Sequence, residues 1–296
     1  MANELLILSR AIHFGSCLVL LAVFAVRLLI ERPAADAPGA RRLAAACLAL
    51  AAGSGFLWLW ASIAGMSDST LRDALNLQLF TVVIQQTQPG HVWAARLAIA
   101  VLLAITLCFL PRRWAWLAGA GLAVALTGSL SWLGHAGASE EGRRSVMLAA
   151  DVSHLLAASL WPTGLLPFAL LLHRRIQAGE LKAAYVDARR FSAMSLVAVS
   201  VIVVSGLANS YFLVGSLHAF VATDYGRLLA VKLLFFGVAA SLGAWNLLVH
   251  EPRIPVSPEA LAAMRYKIWI ELALGGSIVA IVALLGTLAP GSSPGG

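Results

Sequence analysis

The sequence predicts an all-α fold: a polytopic membrane helix bundle of eight transmembrane helices. Two compositional facts and one pattern carry that prediction. Charged residues make up 12% of the 296 residues and hydrophobic residues 60%, whereas a soluble globular domain carries roughly 25% charged residues. The mean hydropathy is +0.86. Eight segments also reach the length of about 20 mostly apolar residues that crosses the hydrocarbon core of a bilayer.

The first segment, 5–30, lies in MANELLILSRAIHFGSCLVLLAVFAVRLLI. Its apolar run is too long for a signal-peptide core and no small-residue cleavage site follows, so it is expected to remain as the first span. The second, 43–65, begins after Arg41-Arg42; the third and fourth, 92–110 and 114–134, are separated by Pro111. The fifth, 146–172, contains Pro162 and Pro167, which predict a kink because proline removes a helical hydrogen bond. The sixth, seventh and eighth are 191–214, 227–249 and 266–289, with Pro252 and Pro255 between the last two. The stretch LRDALNLQLFTVVIQQT, 71–87, carries Arg72, Asp73, Asn76, Gln78, Gln85 and Gln86. It is too short and too polar to span, and reads as an amphipathic helix on the membrane surface or folded back into it. The tail PGSSPGG alone looks low in complexity.

Orientation follows from Lys and Arg in the loops. With the N-terminus outside the cytoplasm, the inner loops hold thirteen, from Arg32 to Lys267, and the outer side holds five: Arg10, Arg72, Arg143, Arg144 and Arg227. A ninth span at 71–87 would largely reverse this bias. Eight spans put both termini outside the cytoplasm. The halves 1–134 and 135–296 resemble each other: His13 matches His154, Ser54-Gly55 matches Ser205-Gly206, and Arg96 matches Lys232. Two parallel four-helix repeats are therefore expected.

The net charge of +7 belongs to short loops and fits membrane orientation, not a phosphate-binding groove; no nucleic-acid partner is expected. Three cysteines without a CxxC pair argue against a disulfide framework and read as buried thiols. No nucleotide loop and no defensible nucleophilic triad occurs, so no enzymatic activity is expected. Arg27 is expected to snorkel, Trp58, Trp60, Trp114, Trp116 and Trp132 to act mostly as interfacial anchors, and Asn209 and Asn246 to bond between helices.

The histidines carry the functional signal. His91, His135 and His218 fall at outer membrane ends or in an outer loop, and His13 and His154 lie about 10–12 Å below the outer boundary at 1.5 Å per residue; only His173 and His250 are inner. A histidine within a span is costly and points to function. Cys17 is four residues after His13, so the two share a helix face; Met147 and Asp151 share one with His154, and Met66 ends the second span. Imidazole, thiol and thioether are ligands that copper prefers, and the sulfur donors favour Cu(I). The candidate metal set is His13, His135 and His154, with His91, Cys17, Met147, Met66 and His218 as further partners.

The chain resembles the CopD copper-resistance family of inner-membrane proteins. The resemblance rests on 191–246, with its Ser-Gly, TDYGRLLAVK and GAWN; on Gly134-His135-Ala136 closing span four; on His154 with Trp161 and Gly164; and on the closing LLGTLAP. Pro162-Thr163 departs from the smoother Trp-x-Gly-Gly usual in that family, and Leu247 stands where an arginine is common. The resemblance implies copper handling between periplasm and membrane, beside a CopC-type periplasmic copper-binding protein expected as a separate chain. Two functions stay open on the residues: a copper-binding protein that accepts the ion on its outer side, and a haem b electron carrier. Paired histidines suit axial haem ligation, and Arg96 and Lys232 could meet propionates.

Overall fold

A computed structural model describes residues 2–31, 38–255 and 257–291. Arg32 in the first inner loop and Ser292–Gly296 of the tail lie outside the described residues. Eleven α-helices follow in order: α1 Ala2–Ala25, α2 Pro38–Met66, α3 Leu77–Gln86, α4 Gln88–Phe109, α5 Arg112–Gly128, α6 Glu141–Leu160, α7 Leu165–Gln177, α8 Leu181–Val214, α9 Leu217–Ala222, α10 Asp224–Trp245 and α11 Pro258–Leu285. Wider π turns continue α1 over Val26–Glu31 and α10 over Asn246–His250, and a 3₁₀ turn, Ser129–Leu133, continues α5. Among the described residues eight stretches are long and apolar enough to cross a membrane, and each overlaps a predicted span.

The bundle is built around α1, which packs against α2, α5, α6 and α11. The most apolar window of the first span is 72% buried, against 11% for that of the seventh, so the first span is the axis and α10 faces outward. Phe14, Leu18, Leu21 and Phe24 of α1 meet Trp58, Leu103, Trp116 and Leu126 in one core cluster. A second cluster holds Phe168 stacked on Phe191 at 4.0 Å.

The fifth span breaks instead of kinking. Pro162 lacks an N–H, α6 stops at Leu160, and α7 restarts at Leu165. Pro167 sits in the first turn of α7, where its missing donor costs nothing. The helix α3 is ten residues long, about 15 Å. It folds back on α2: Phe80 stacks on Phe56 at 6.0 Å, and Trp60 Nε1 donates to Leu71 O at 2.8 Å.

Four expectations need correction. Arg27 does not snorkel: it is 4% exposed and pairs with Glu31 at 2.8 Å, because the π turn brings that carboxylate onto its own face. Trp58 and Trp116 are core residues rather than anchors, since cationic side chains stack on them from inside the bundle. Arg10, counted with the outer charges, lies inside α1 and is 8% exposed. Cys108 is exposed, unlike Cys17 and Cys47.

One end of the bundle is laced with ion pairs. Arg175 bridges Asp187 at 2.9 Å and Glu180 at 2.6 Å, Arg174 reaches Glu31 at 3.5 Å, and Ser192 donates to Glu251 at 2.5 Å. His13 and His154 lie in the opposite half of their spans.

Candidate metal centre

His13 is 3% exposed and is boxed by two indoles. Its ring lies 5.6 Å from Trp58 and 5.3 Å from Trp93, and the two indoles meet edge to face at 5.2 Å. A small residue below makes the fit possible: a Cβ on Gly55 would come within 2.9 Å of His13 Cε1 and 3.0 Å of Trp93.

The bonds of His13 assign its tautomer. Arg96 Nη2 lies 2.5 Å from His13 Nε2, and a guanidinium only donates, so Nε2 accepts. The proton is then on Nδ1, which donates to Ala51 O at 2.8 Å. Ser54 Oγ is 3.4 Å from the same nitrogen and spends its own proton on Leu50 O at 2.5 Å. Cys17, one turn further along α1 and fully buried, places Sγ 3.8 Å from His13 Nε2. The predicted face-sharing thus produces a buried nitrogen–sulfur pair.

Arg96 is held at four points. Nη1 donates to Leu126 O at 2.7 Å and Ser129 Oγ at 2.5 Å, and Nη2 to His13 Nε2 and, at 3.5 Å, to Cys17 Sγ. Among the described residues no carboxylate forms an ion pair with it.

The second histidine repeats the seating with other neighbours. His154 Nδ1 is 3.0 Å from Ser205 Oγ, whose proton goes to Val201 O at 2.5 Å, so the ring nitrogen donates. Gly206 lies beneath: a Cβ there would stand 3.4 Å from His154 Cε1. Lys232 faces His154, and Asp151 faces Lys232, Ser131 and His135. Asn209 Nδ2 reaches Asp151 Oδ1 at 3.5 Å, an interhelical bond as predicted, and Asn246 Nδ2 makes the other predicted one, to Glu271 Oε1 at 2.8 Å.

His135 stands near Arg10 of α1 and Asp151 of α6. One ring nitrogen is against the Leu285 carbonyl, Nε2 is buried without a partner, and the ring stands 6.2 Å from Tyr225. Burial, with the Arg10 cation, holds its pKa below the ordinary 6.5; the Leu285 carbonyl and Asp151 offset part of that.

Of the candidate ligands, the structure joins His13 to Cys17 and groups His135 with Asp151. Met147 is buried. Met66 is 57% exposed, His91 is exposed with Nε2 3.0 Å from Gln85 O, and His218 is exposed in the first turn of α9. Among the described residues no three His, Cys, Asp or Glu side chains converge as a metal cage. The sequence reading missed the inward turn of Arg10 and the buried carboxylate Glu271, 1% exposed. The signal for Arg10 was its position three residues before His13, on the same face.

The site does not fit axial haem at His13: the nitrogen that would face iron accepts from Arg96, and indoles occupy both neighbouring volumes. The fold and this site define a class, a polytopic α-helical membrane protein with soft donors buried in one half of the bundle. The chain belongs to the copper resistance protein D family. Residues 1–146 match the model for the N-terminal domain of copper resistance protein D-like proteins, and 186–285 match the model for copper resistance protein D. The first half of the chain therefore carries the likeness as well as the C-terminal region. Copper resistance protein D of Pseudomonas syringae pv. tomato is 32% identical over 222 residues, 71% of each chain. Copper transport protein CutJ of Bacillus subtilis is 32% identical over 170 residues, 55% of this chain and 31% of that one. Inner membrane protein YebZ of Escherichia coli is 27% identical over 230 residues, 76% of this chain and 77% of that one. No solved structure matches.

Proposed function

We propose that this protein takes up copper at the periplasmic end of its bundle, in the bacterial inner membrane, and passes it inward. The observation that carries the reading is the buried pair of His13 Nε2 and Cys17 Sγ, 3.8 Å apart. One imidazole and one sulfur on a single helix turn form a two-donor site of the softness Cu(I) favours. His135, with its unpartnered Nε2, and His154 are the neighbouring stations, with Met147 a further donor on the helix of His154. Met66, His91 and His218, exposed at the same end, serve capture from a separate CopC-type donor. We read the matching seats of His13 and His154 as the trace of a duplicated four-helix unit.

The experiment is a Cu(I) titration of the purified chain against a chromophoric chelator under reducing conditions. One copper per chain, lost in His13→Ala/His154→Ala and kept in His173→Ala/His250→Ala, supports the reading. Equal loss from the inner pair refutes the periplasmic placement. A Soret band abolished by the first double variant would replace copper with haem b. An active alkaline phosphatase fused after Pro290 checks the orientation.

A further inference from the structure

We propose that Arg96 is a tethered cation that closes the copper site: its Nη2 holds the lone pairs of His13 Nε2 and Cys17 Sγ that Cu(I) takes when it binds. The proposal rests on the copper reading above and adds to it a competitor built into the chain.

Arg96 is 2% exposed without an ion-paired carboxylate among the described residues. Burying an unpaired cation costs several kcal/mol unless hydrogen bonds replace water. Arg96 recovers that cost through a divided grip. Nη1 is anchored on α5 and its 3₁₀ extension, at Leu126 O and Ser129 Oγ. Nη2 points the other way, to the only nitrogen lone pair of His13 and to the Cys17 sulfur. Main-chain and hydroxyl oxygens are ordinary partners of arginine. An imidazole lone pair and a sulfur are the donors a soft metal selects, and here the guanidinium occupies both.

The exchange conserves charge. Copper–nitrogen and copper–sulfur bonds form, two hydrogen bonds from Nη2 break, and the guanidinium keeps its protons and its Nη1 anchors. As the copper–sulfur bond forms, the Cys17 thiol proton leaves to water, so the charge that Cu(I) brings is balanced by the thiolate while the tethered guanidinium stays beside the site. A hard cation gains little from nitrogen and sulfur donors and does not displace the guanidinium, so the arginine also acts as a selectivity filter. The groups that Nη2 leaves are not stranded, because the metal takes both His13 Nε2 and Cys17 Sγ.

The test compares Cu(I) affinity in the full-length chain for wild type, Arg96→Leu, Arg96→Lys and Arg96→Leu/His13→Ala. Arg96→Leu is expected to bind about tenfold tighter, within the range by which groups around a metal ligand change affinity. The His13→Ala change should erase that gain. Arg96→Lys keeps the charge but loses the fork, and should still bind more tightly than wild type. Arg96→Lys equal to wild type would make the effect one of field alone and overturn the plug. So would Arg96→Leu binding no tighter than wild type with an unchanged thermal melt; His13-dependent copper binding by wild type would then leave the copper reading standing. Binding that does not depend on His13 in any variant removes both. Should Arg96→Leu fail to fold, wild-type chain labelled with ¹⁵N-arginine gives the answer. One buried guanidinium signal should move on adding Ag(I), and not in His13→Ala. Bound silver with no moved signal refutes the exchange.

Discussion

His13 donates from Nδ1 to a main-chain carbonyl of α2, and His154 donates to a serine hydroxyl of α8, each above a Ser-Gly step. From there the two sites diverge. His13 is enclosed by Trp58 and Trp93, and among the described residues its cation, Arg96, has no ion-paired acid. His154 is half-buried, and its cation, Lys232, shares its surroundings with Asp151. The first is a buried site whose cation is held by hydrogen bonds. The second is a polar site whose cation is already matched, so it has less reason to trade. Similar seats thus carry two different charge settings.

The largest expected difference lies in the metal. His13→Ala should weaken Cu(I) binding by about 100-fold, roughly 2.7 kcal/mol, and His154→Ala by about tenfold; the chelator titration measures both. An equal loss would break the comparison. Next are the glycines. A methyl on Gly55 meets two rings at 2.9 and 3.0 Å, and one on Gly206 meets His154 at 3.4 Å. Gly55→Ala should therefore destabilise by about 1–3 kcal/mol as an overpacked core does, while Gly206→Ala stays near wild type in a thermal melt. Smaller again is the serine pair: Ser205→Ala removes a 3.0 Å partner and Ser54→Ala only a 3.4 Å contact. About 1 kcal/mol is expected for the first, the net value of a hydrogen bond, and less for the second. The smallest effect is acid sensitivity at His135. His135 has a pKa below 6.5 in the folded chain, so the unfolded chain binds the proton first. Its contribution is intact above pH 6.5 and falls away as the pH drops below that value. Melts between pH 7.5 and pH 5 should show a shallower decline in His135→Asn.

The spans were legible in the sequence because lipid demands long apolar runs; the two histidines and the two Ser-Gly steps were each matched between the halves, but that one seats the other appears only in three dimensions. The break at Pro162 was visible as a kink, but whether a chain bends or restarts depends on what packs against it. The sequence also named His13 and Cys17 as neighbours, since four residues along a helix is a contact. It left open what else touched them. Arg96 stands 83 residues from His13, and no periodicity links the two. For the same reason Arg10 read as a loop charge: at the start of an apolar run a cation can face water or the bundle, and only tertiary partners decide which.

Those partners come late. Arg10 Nη1 donates to Gly286 O at 3.1 Å across 276 residues, and His135 leans on the neighbouring Leu285 carbonyl. Both acceptors lie in the closing LLGTLAP stretch. Synthesis delivers α1 to the bilayer first and α11 last, so until α11 arrives Arg10 has the face of Trp58, 4.9 Å away, but not its carbonyl acceptor. A ribosome-bound chain stopped before α11 should thus present an unfinished core that membrane proteases and insertion chaperones can recognise. Arg10 and His135 gain these acceptors only when the helix that carries Leu285 and Gly286 is in place.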